Sequence, residues 1–64
     1  MTVSELLYYC FDAGMLHVEI YDLTSNTSVY IGYGDEIPEE FEDLEICTWD
    51  IPTNPGELTI NVEI

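Results

Sequence analysis

Seven carboxylates crowd into eleven residues of this chain: Asp35, Glu36, Glu39, Glu40, Glu42, Asp43 and Glu45. Acids at that density can hold a hard cation, exchange protons in a cleft, or present negative charge to a basic partner. The commonest single-loop calcium site, the EF-hand loop, places oxygen ligands at alternate positions with a glycine at its turn. No D-x-[DN]-x-[DN]-G run is present, and Pro38 and Phe41 interrupt any ligand comb, so no metal site is expected. Proton exchange between paired carboxylates needs a cleft, which a small sheet with one helix hardly provides. The chain also has no Lys, no Arg, no Gly-rich phosphate loop and a single His, His17, on the outward face of a predicted strand. No catalytic residue and no cofactor are expected, and the chain does not read as an enzyme. Presentation of charge remains. If residues 38 to 43 form helical turns, Glu36, Glu39, Glu40 and Asp43 share a face at i, i+3, i+4 spacing, about 5–6 Å and of the order of phosphate separation in a nucleic-acid strand. Acids at a helix N-terminus complement its dipole, which accounts for one or two of them. Seven without an interspersed Lys call for a partner, because like-charged i, i+4 pairs destabilise a helix.

The imbalance extends to the whole sequence. Its 64 residues hold 14 Asp and Glu and no Lys or Arg, for a formal net charge of -14. An average composition would supply roughly eight basic side chains at this length. High net charge often means disorder, but hydrophobic residues make up 47% of the chain and fall into patterned segments between turn residues. A single folded domain over residues 1–64 is expected, with a small core and stability limited by self-repulsion. Without a basic leader or an apolar run of about 18 residues, the chain reads as cytoplasmic, and an anionic membrane surface would repel it. Cys10 and Cys47 lack metal-like spacing and sit in apolar segments, so both are expected to be reduced core residues.

The elements that must carry the acids follow from period and punctuation. Thr2-Val3-Ser4-Glu5 has the form of a capping box and opens a helix over about residues 3 to 12, with Leu6, Leu7, Cys10 and Phe11 inward and Gly14 as its stop. Residues 16 to 22 alternate, with Leu16, Val18 and Ile20 on one face and His17, Glu19 and Tyr21 on the other. A polar turn leads to a second strand over 27 to 33, with Val29 and Ile31 expected inward and Ser28 and Tyr30 outward. Pro38 suits the start of a short helical turn, from which Ile37, Phe41 and Leu44 can turn inward. A third strand over about 45 to 51 ends at Pro52, and Asn54-Pro55-Gly56 leads to a fourth over 58 to 64, with Leu58, Ile60, Val62 and Ile64 inward. The expected fold is α+β: a four-stranded antiparallel sheet, an N-terminal helix on one face, and a short helical turn between strands 2 and 3. The second face is left open, with His17, Glu19, Tyr21, Ser28, Tyr30, Asn61 and Glu63 as its candidates. Aromatic rings beside carboxylates suit the reception of Arg, and cross-strand Tyr pairing or a homodimer through this face would use the same residues.

In size, in its lack of Lys and Arg, and in the run Asp35 to Glu45, the chain resembles the small acidic proteins of phages and mobile elements that inhibit host defence nucleases, the DNA-mimicking anti-restriction and anti-CRISPR proteins. The resemblance is one of type and carries no motif. It implies a stoichiometric inhibitor that acts in the host cytoplasm, binds no nucleic acid itself, and occupies the basic nucleic-acid site of a nuclease, as in Cas9-type effectors whose arginines read a short motif and whose basic channel holds duplex. On that reading Asp35, Glu36, Glu39, Glu40, Glu42 and Asp43 stand for phosphates, Glu45 belongs to the same partner-binding set, and Glu19, Tyr21 and Asp22 extend the surface. An acidic chaperone for a basic host protein and a homo-oligomeric phage component are the alternatives.

Overall fold

A computed structural model describes residues 1–9, 15–51 and 56–64. The order is α1 (Val3–Tyr9), β1 (His17–Asp22), β2 (Thr27–Tyr33), a 3-10 turn (Gly34–Glu36), α2 (Glu39–Glu42), β3 (Ile46–Asp50) and β4 (Glu57–Val62). The α+β class and the placement of both helical pieces agree with the sequence reading. The expected contributions of Cys10, Phe11, Gly14, Pro52, Asn54 and Pro55 lie outside the described residues.

The sheet corrects one expectation. Its strand order is β2-β1-β4-β3, with β1–β2 and β3–β4 antiparallel but β1–β4 parallel, so the sheet is mixed. The cause is burial. Val18 and Ile20 of β1 and Ile60 and Val62 of β4 are fully buried, and Leu58 nearly so. The two strands with the strongest inward stripe therefore take the centre, and the connection between β2 and β3 crosses from one edge to the other.

Sequence signals account for the local structure. The Thr2 amide donates to Glu5 Oε1 at 3.0 Å and the Glu5 amide donates to Thr2 Oγ1 at 3.3 Å, the reciprocal exchange of a capping box. The same bond from the Thr2 amide, ahead of that from the Thr2 hydroxyl, holds the Glu5 carboxyl below its ordinary value. Asn26 adopts φ 56 in the β1–β2 turn, a left-handed conformation that Asn tolerates. On one face of the sheet Val3 and Leu6 of α1 and Ile37 of the connection close the core, and Phe41, Leu44, Leu7 and Tyr30 pack around it. Each fully buried aliphatic side chain contributes about 1.5–3 kcal/mol, the term that must outweigh self-repulsion. Ile64, expected inward, is exposed, since β4 ends at Val62. No helix among the described residues is long and apolar enough to cross a membrane.

Two irregularities reset which side chains face the core. The β1–β2 register pairs Ile20 with Tyr30 and Tyr21 with Ser28, leaving Val29 as an extra residue. The β3–β4 register skips Cys47 in the same way. An extra residue flips the faces that follow it. Tyr30 therefore lies with Ile20 on the core side and Ile31 faces out, the reverse of the expected alternation.

Candidate functional site

The acidic segment is a connection fixed at both ends. At its start the Gly34 amide donates to the Leu16 carbonyl at 3.0 Å, tying the turn after β2 to the chain just before β1. At its end the Val3 amide donates to the Leu44 carbonyl at 3.0 Å, the Ile46 amide donates to the Met1 carbonyl at 2.9 Å, and Thr2 bridges antiparallel to Glu45. Between these ties Ile37 is buried, and Phe41 and Leu44 are half-buried against the core. The apolar residues of the segment are its anchors, which turns the acids outward. Asp35, Glu36, Glu39, Glu40, Glu42, Asp43 and Glu45 are all exposed. Glu45 Oε2 accepts from the Met1 amino group at 3.1 Å, an exposed pair.

The acids do not form a single helical row. The 3-10 turn ends at Glu36, and Ile37 (φ -64, ψ 128) and Pro38 (φ -57, ψ 140) are extended before the four-residue α2 begins. Pro38 cannot donate to the preceding turn and Ile37 must reach the core, so the chain straightens between them. Glu36 thus leaves the face it was expected to share with Glu39, Glu40 and Asp43. What results is two clusters, Asp35 with Glu36 and Glu39 through Asp43, on either side of a buried isoleucine.

The flanking residues assigned to the same surface separate from it. Asp22 is only 6% exposed, and its carboxylate accepts from Ser25 Oγ at 2.7 Å and from the amides of Thr24 at 3.0 Å and Ile64 at 3.2 Å. The Ser25 hydroxyl, and behind it the Ile64 and Thr24 amides, hold its carboxyl below the ordinary value against the cost of burial. Asp22 organises the β1–β2 turn and has no free oxygen for a partner. Glu19 and Tyr21 alternate with Val18 and Ile20, which face the helical layer, so they lie on the opposite face of the sheet. The acidic connection packs on the core face through Ile37, Phe41 and Leu44. The ten residues expected to form one surface therefore divide between two opposed surfaces and the buried end of β1, where Asp22 stands.

The open face also differs in membership. Its register rows are Tyr33–His17–Glu57, Ile31–Glu19–Thr59–Asp50 and Ser28–Tyr21–Asn61–Thr48. Ser28 Oγ donates to Glu19 Oε2, and Asn61 Nδ2 donates to Thr48 Oγ1 at 3.0 Å. His17 stands edge-to-face with Tyr33, ring centroids 6.0 Å apart. Tyr30 is absent from this face, so it cannot contribute to a dimer packed there. Ile31 enters it because of the bulge at Val29, which strict alternation does not reveal, whereas Thr59 follows from the alternation of the expected fourth strand and Glu57 from extending that strand one residue earlier.

Among the described residues no group of three or more His, Cys, Asp or Glu side chains is arranged to hold a metal. Cys47, expected in the core, is the exposed extra residue of the β3 bulge. Desolvation of its sulfur, and after it the Glu63 carboxylate alongside, push its thiol up, which weakens it as a nucleophile at neutral pH. A shallow hollow on α1 is lined by Ser4, Glu5, Tyr8 and Tyr9, whose rings meet edge-to-face. In comparisons with known proteins, no family model, no curated protein and no solved structure matches the chain.

Proposed function

We propose that this protein is an acidic inhibitor that occupies the basic nucleic-acid site of a defence nuclease, such as a Cas9-type effector, by presenting the carboxylates of its β2–β3 connection in place of phosphates. The observation that carries this reading is that all seven acids between Asp35 and Glu45 are exposed on a segment tied at both ends and anchored by Ile37, in a chain with no Lys or Arg to neutralise them. Apart from the exposed Glu45–Met1 pair, a pre-positioned array of like charge costs the isolated fold stability. Against a basic groove it raises the association rate and sets the register. The two clusters on either side of Ile37 suit arginines and lysines spread along a groove better than a single point contact. The protein would then act in the cytoplasm of the cell whose nuclease it blocks, without touching nucleic acid.

Affinity capture separates this reading from a general acidic chaperone. The wild-type chain and a Glu39→Gln, Glu40→Gln, Asp43→Asn variant serve as baits in lysate of a cell that carries restriction and CRISPR nucleases. Nucleases should be retained by the wild type, lost with the variant, and released as salt rises. Capture of basic proteins with no nucleic-acid site, equally by both baits, contradicts the proposal.

A further inference from the structure

We infer that the open sheet face is a second docking surface, separate from the acidic connection, and that it takes arginine side chains of a protein partner. Among the described residues no element covers this face, and two of its apolar groups, Ile31 at 61% and Tyr33 at 52%, remain exposed. Its register grid puts the Glu19 carboxylate beside an aliphatic and an aromatic neighbour, and sets Glu57 next to His17. Glu19 pairs with Ile31 on one side and Thr59 on the other, and Tyr21 follows two residues along the same strand. Glu57 lies in the row of Tyr33, and Asp50 ends the row of Glu19. Neighbouring strands are about 4.8 Å apart, and same-face residues on one strand about 6.6 Å, so a guanidinium paired with the Glu19 carboxylate is within reach of the Tyr21 ring.

Charge complementarity selects the occupant. The face carries Glu19, Glu57 and Asp50, and no Lys or Arg exists in the chain to offset them. A second copy laid on this face would set three carboxylates against three, between chains of net charge -14 each. A cationic partner is attracted instead. Between the two cations, arginine is favoured, because its guanidinium binds a carboxylate in a fork and stacks on tyrosine, whereas ammonium is a strongly hydrated point charge. The Ser28 hydroxyl takes one lone pair of Glu19 Oε2, which orients the carboxylate and leaves Oε1 and the second lone pair of Oε2 to accept the fork. This surface faces away from the connection and does not depend on the partner's being a nuclease.

The test is a titration of the isotope-labelled chain followed by amide shifts, with acetyl-Gly-Arg-Gly-Arg-Gly-amide and its lysine counterpart as probes. At about 150 mM NaCl, attraction between exposed charges beyond about 8 Å is screened. The arginine peptide should shift the amides of Glu19, Tyr21, Ile31 and Thr59 and should bind this face about threefold more tightly than the lysine peptide. Tyr21→Leu and Tyr33→Leu should each narrow that ratio while keeping a dispersed spectrum. Shifts confined to residues 35–45, equal affinities for the two peptides at the open face, or self-association mapped to this face would overturn the inference. The wild-type comparison decides even where a substituted chain does not fold, and failure to inhibit a nuclease leaves it standing.

Discussion

Tyr30 lies over Gly32: its hydroxyl donates to the Tyr33 carbonyl at 2.7 Å, and a Cβ added at Gly32 would stand 2.6 Å from that hydroxyl oxygen and 2.9 Å from Cζ. The ring fills the core-side surface that a side chain at position 32 would occupy, and its own bond to Tyr33 keeps it there. Gly32→Ala should therefore cost about 1–3 kcal/mol, because the ring must shift and the hydroxyl lose its acceptor. In a Tyr30→Phe background the closest contact is gone, so the same alanine should cost less, with a coupling of at least about 0.5 kcal/mol. Thermal unfolding of the four chains measures it. Full additivity would show that Tyr30 does not rest on Gly32.

The same tyrosine sets an alkaline limit. Desolvation, then Glu36, then Asp35 raise the Tyr30 hydroxyl above the ordinary value of 10.0. A group raised on folding stabilises fully below its unfolded value, and that contribution is lost as pH rises through the folded one. Unfolding monitored by circular dichroism should show stability falling above about pH 10, with a smaller fall in Tyr30→Phe. An identical alkaline limb in both chains contradicts this assignment.

Acid should act in two opposed stages. Mild acid lowers the magnitude of the net charge of -14, and the relief of repulsion raises stability. Asp22 and Glu5 work in the opposite sense: hydrogen bonds, from Ser25 to Asp22 and from Thr2 to Glu5 in the first place, depress their folded values below the ordinary 3.8 and 4.5. Their contribution is present above those ordinary values and lost as pH falls through the depressed folded ones. The melting temperature should climb from pH 7 toward about pH 4.5 and then fall, and Asp22→Asn should flatten the fall while lowering stability at pH 7. A Tm that rises without a turn down to pH 2 would show that neither carboxylate is bound as described.

Salt addresses repulsion alone. Raising NaCl from about 0.01 to 0.15 M shortens the screening length from about 30 to 8 Å, which covers much of the distance between this chain's carboxylates. Tm should rise over that range and level off. A fall would mean that attractive electrostatics outweigh repulsion in the folded state.

How far the sequence reaches can be seen in particular residues. Thr2 and Glu5 marked the start of α1 because a capping box is a local exchange, and Val18, Ile20, Leu58, Ile60 and Val62 marked the core because alternation is local too. The parallel pairing of β1 with β4 was out of reach, since nothing in either strand states its neighbour and the decision rests on which stripes are buried most deeply. The bulges at Val29 and Cys47 were also silent. Each inserts one residue without any change in local chemistry, yet moves Tyr30 inward, Ile31 outward and Cys47 to the surface. Asp22 shows a third limit: an acid at the end of a strand reads as charge, while its three hydrogen bonds become visible only when Ser25, Thr24 and Ile64 surround it. The density of acids between Asp35 and Glu45 was plain from the sequence, whereas their division at Ile37 and Pro38 depended on the need of Ile37 to reach the core.

The central claim, that the connection stands in for nucleic-acid phosphates, is met most directly by competition. This protein is added to a guide-loaded Cas9-type effector ahead of a labelled target duplex, and the fraction of duplex kept off is followed by fluorescence anisotropy at low and at moderate salt, using the wild type and the Glu39→Gln, Glu40→Gln, Asp43→Asn variant. The account predicts exclusion of the duplex by the wild type, weakening by tenfold or more between about 0.05 and 0.2 M salt, and loss of most exclusion in the variant. Binding that still admits the duplex, or exclusion that is indifferent both to salt and to the three neutralised carboxylates, would contradict it.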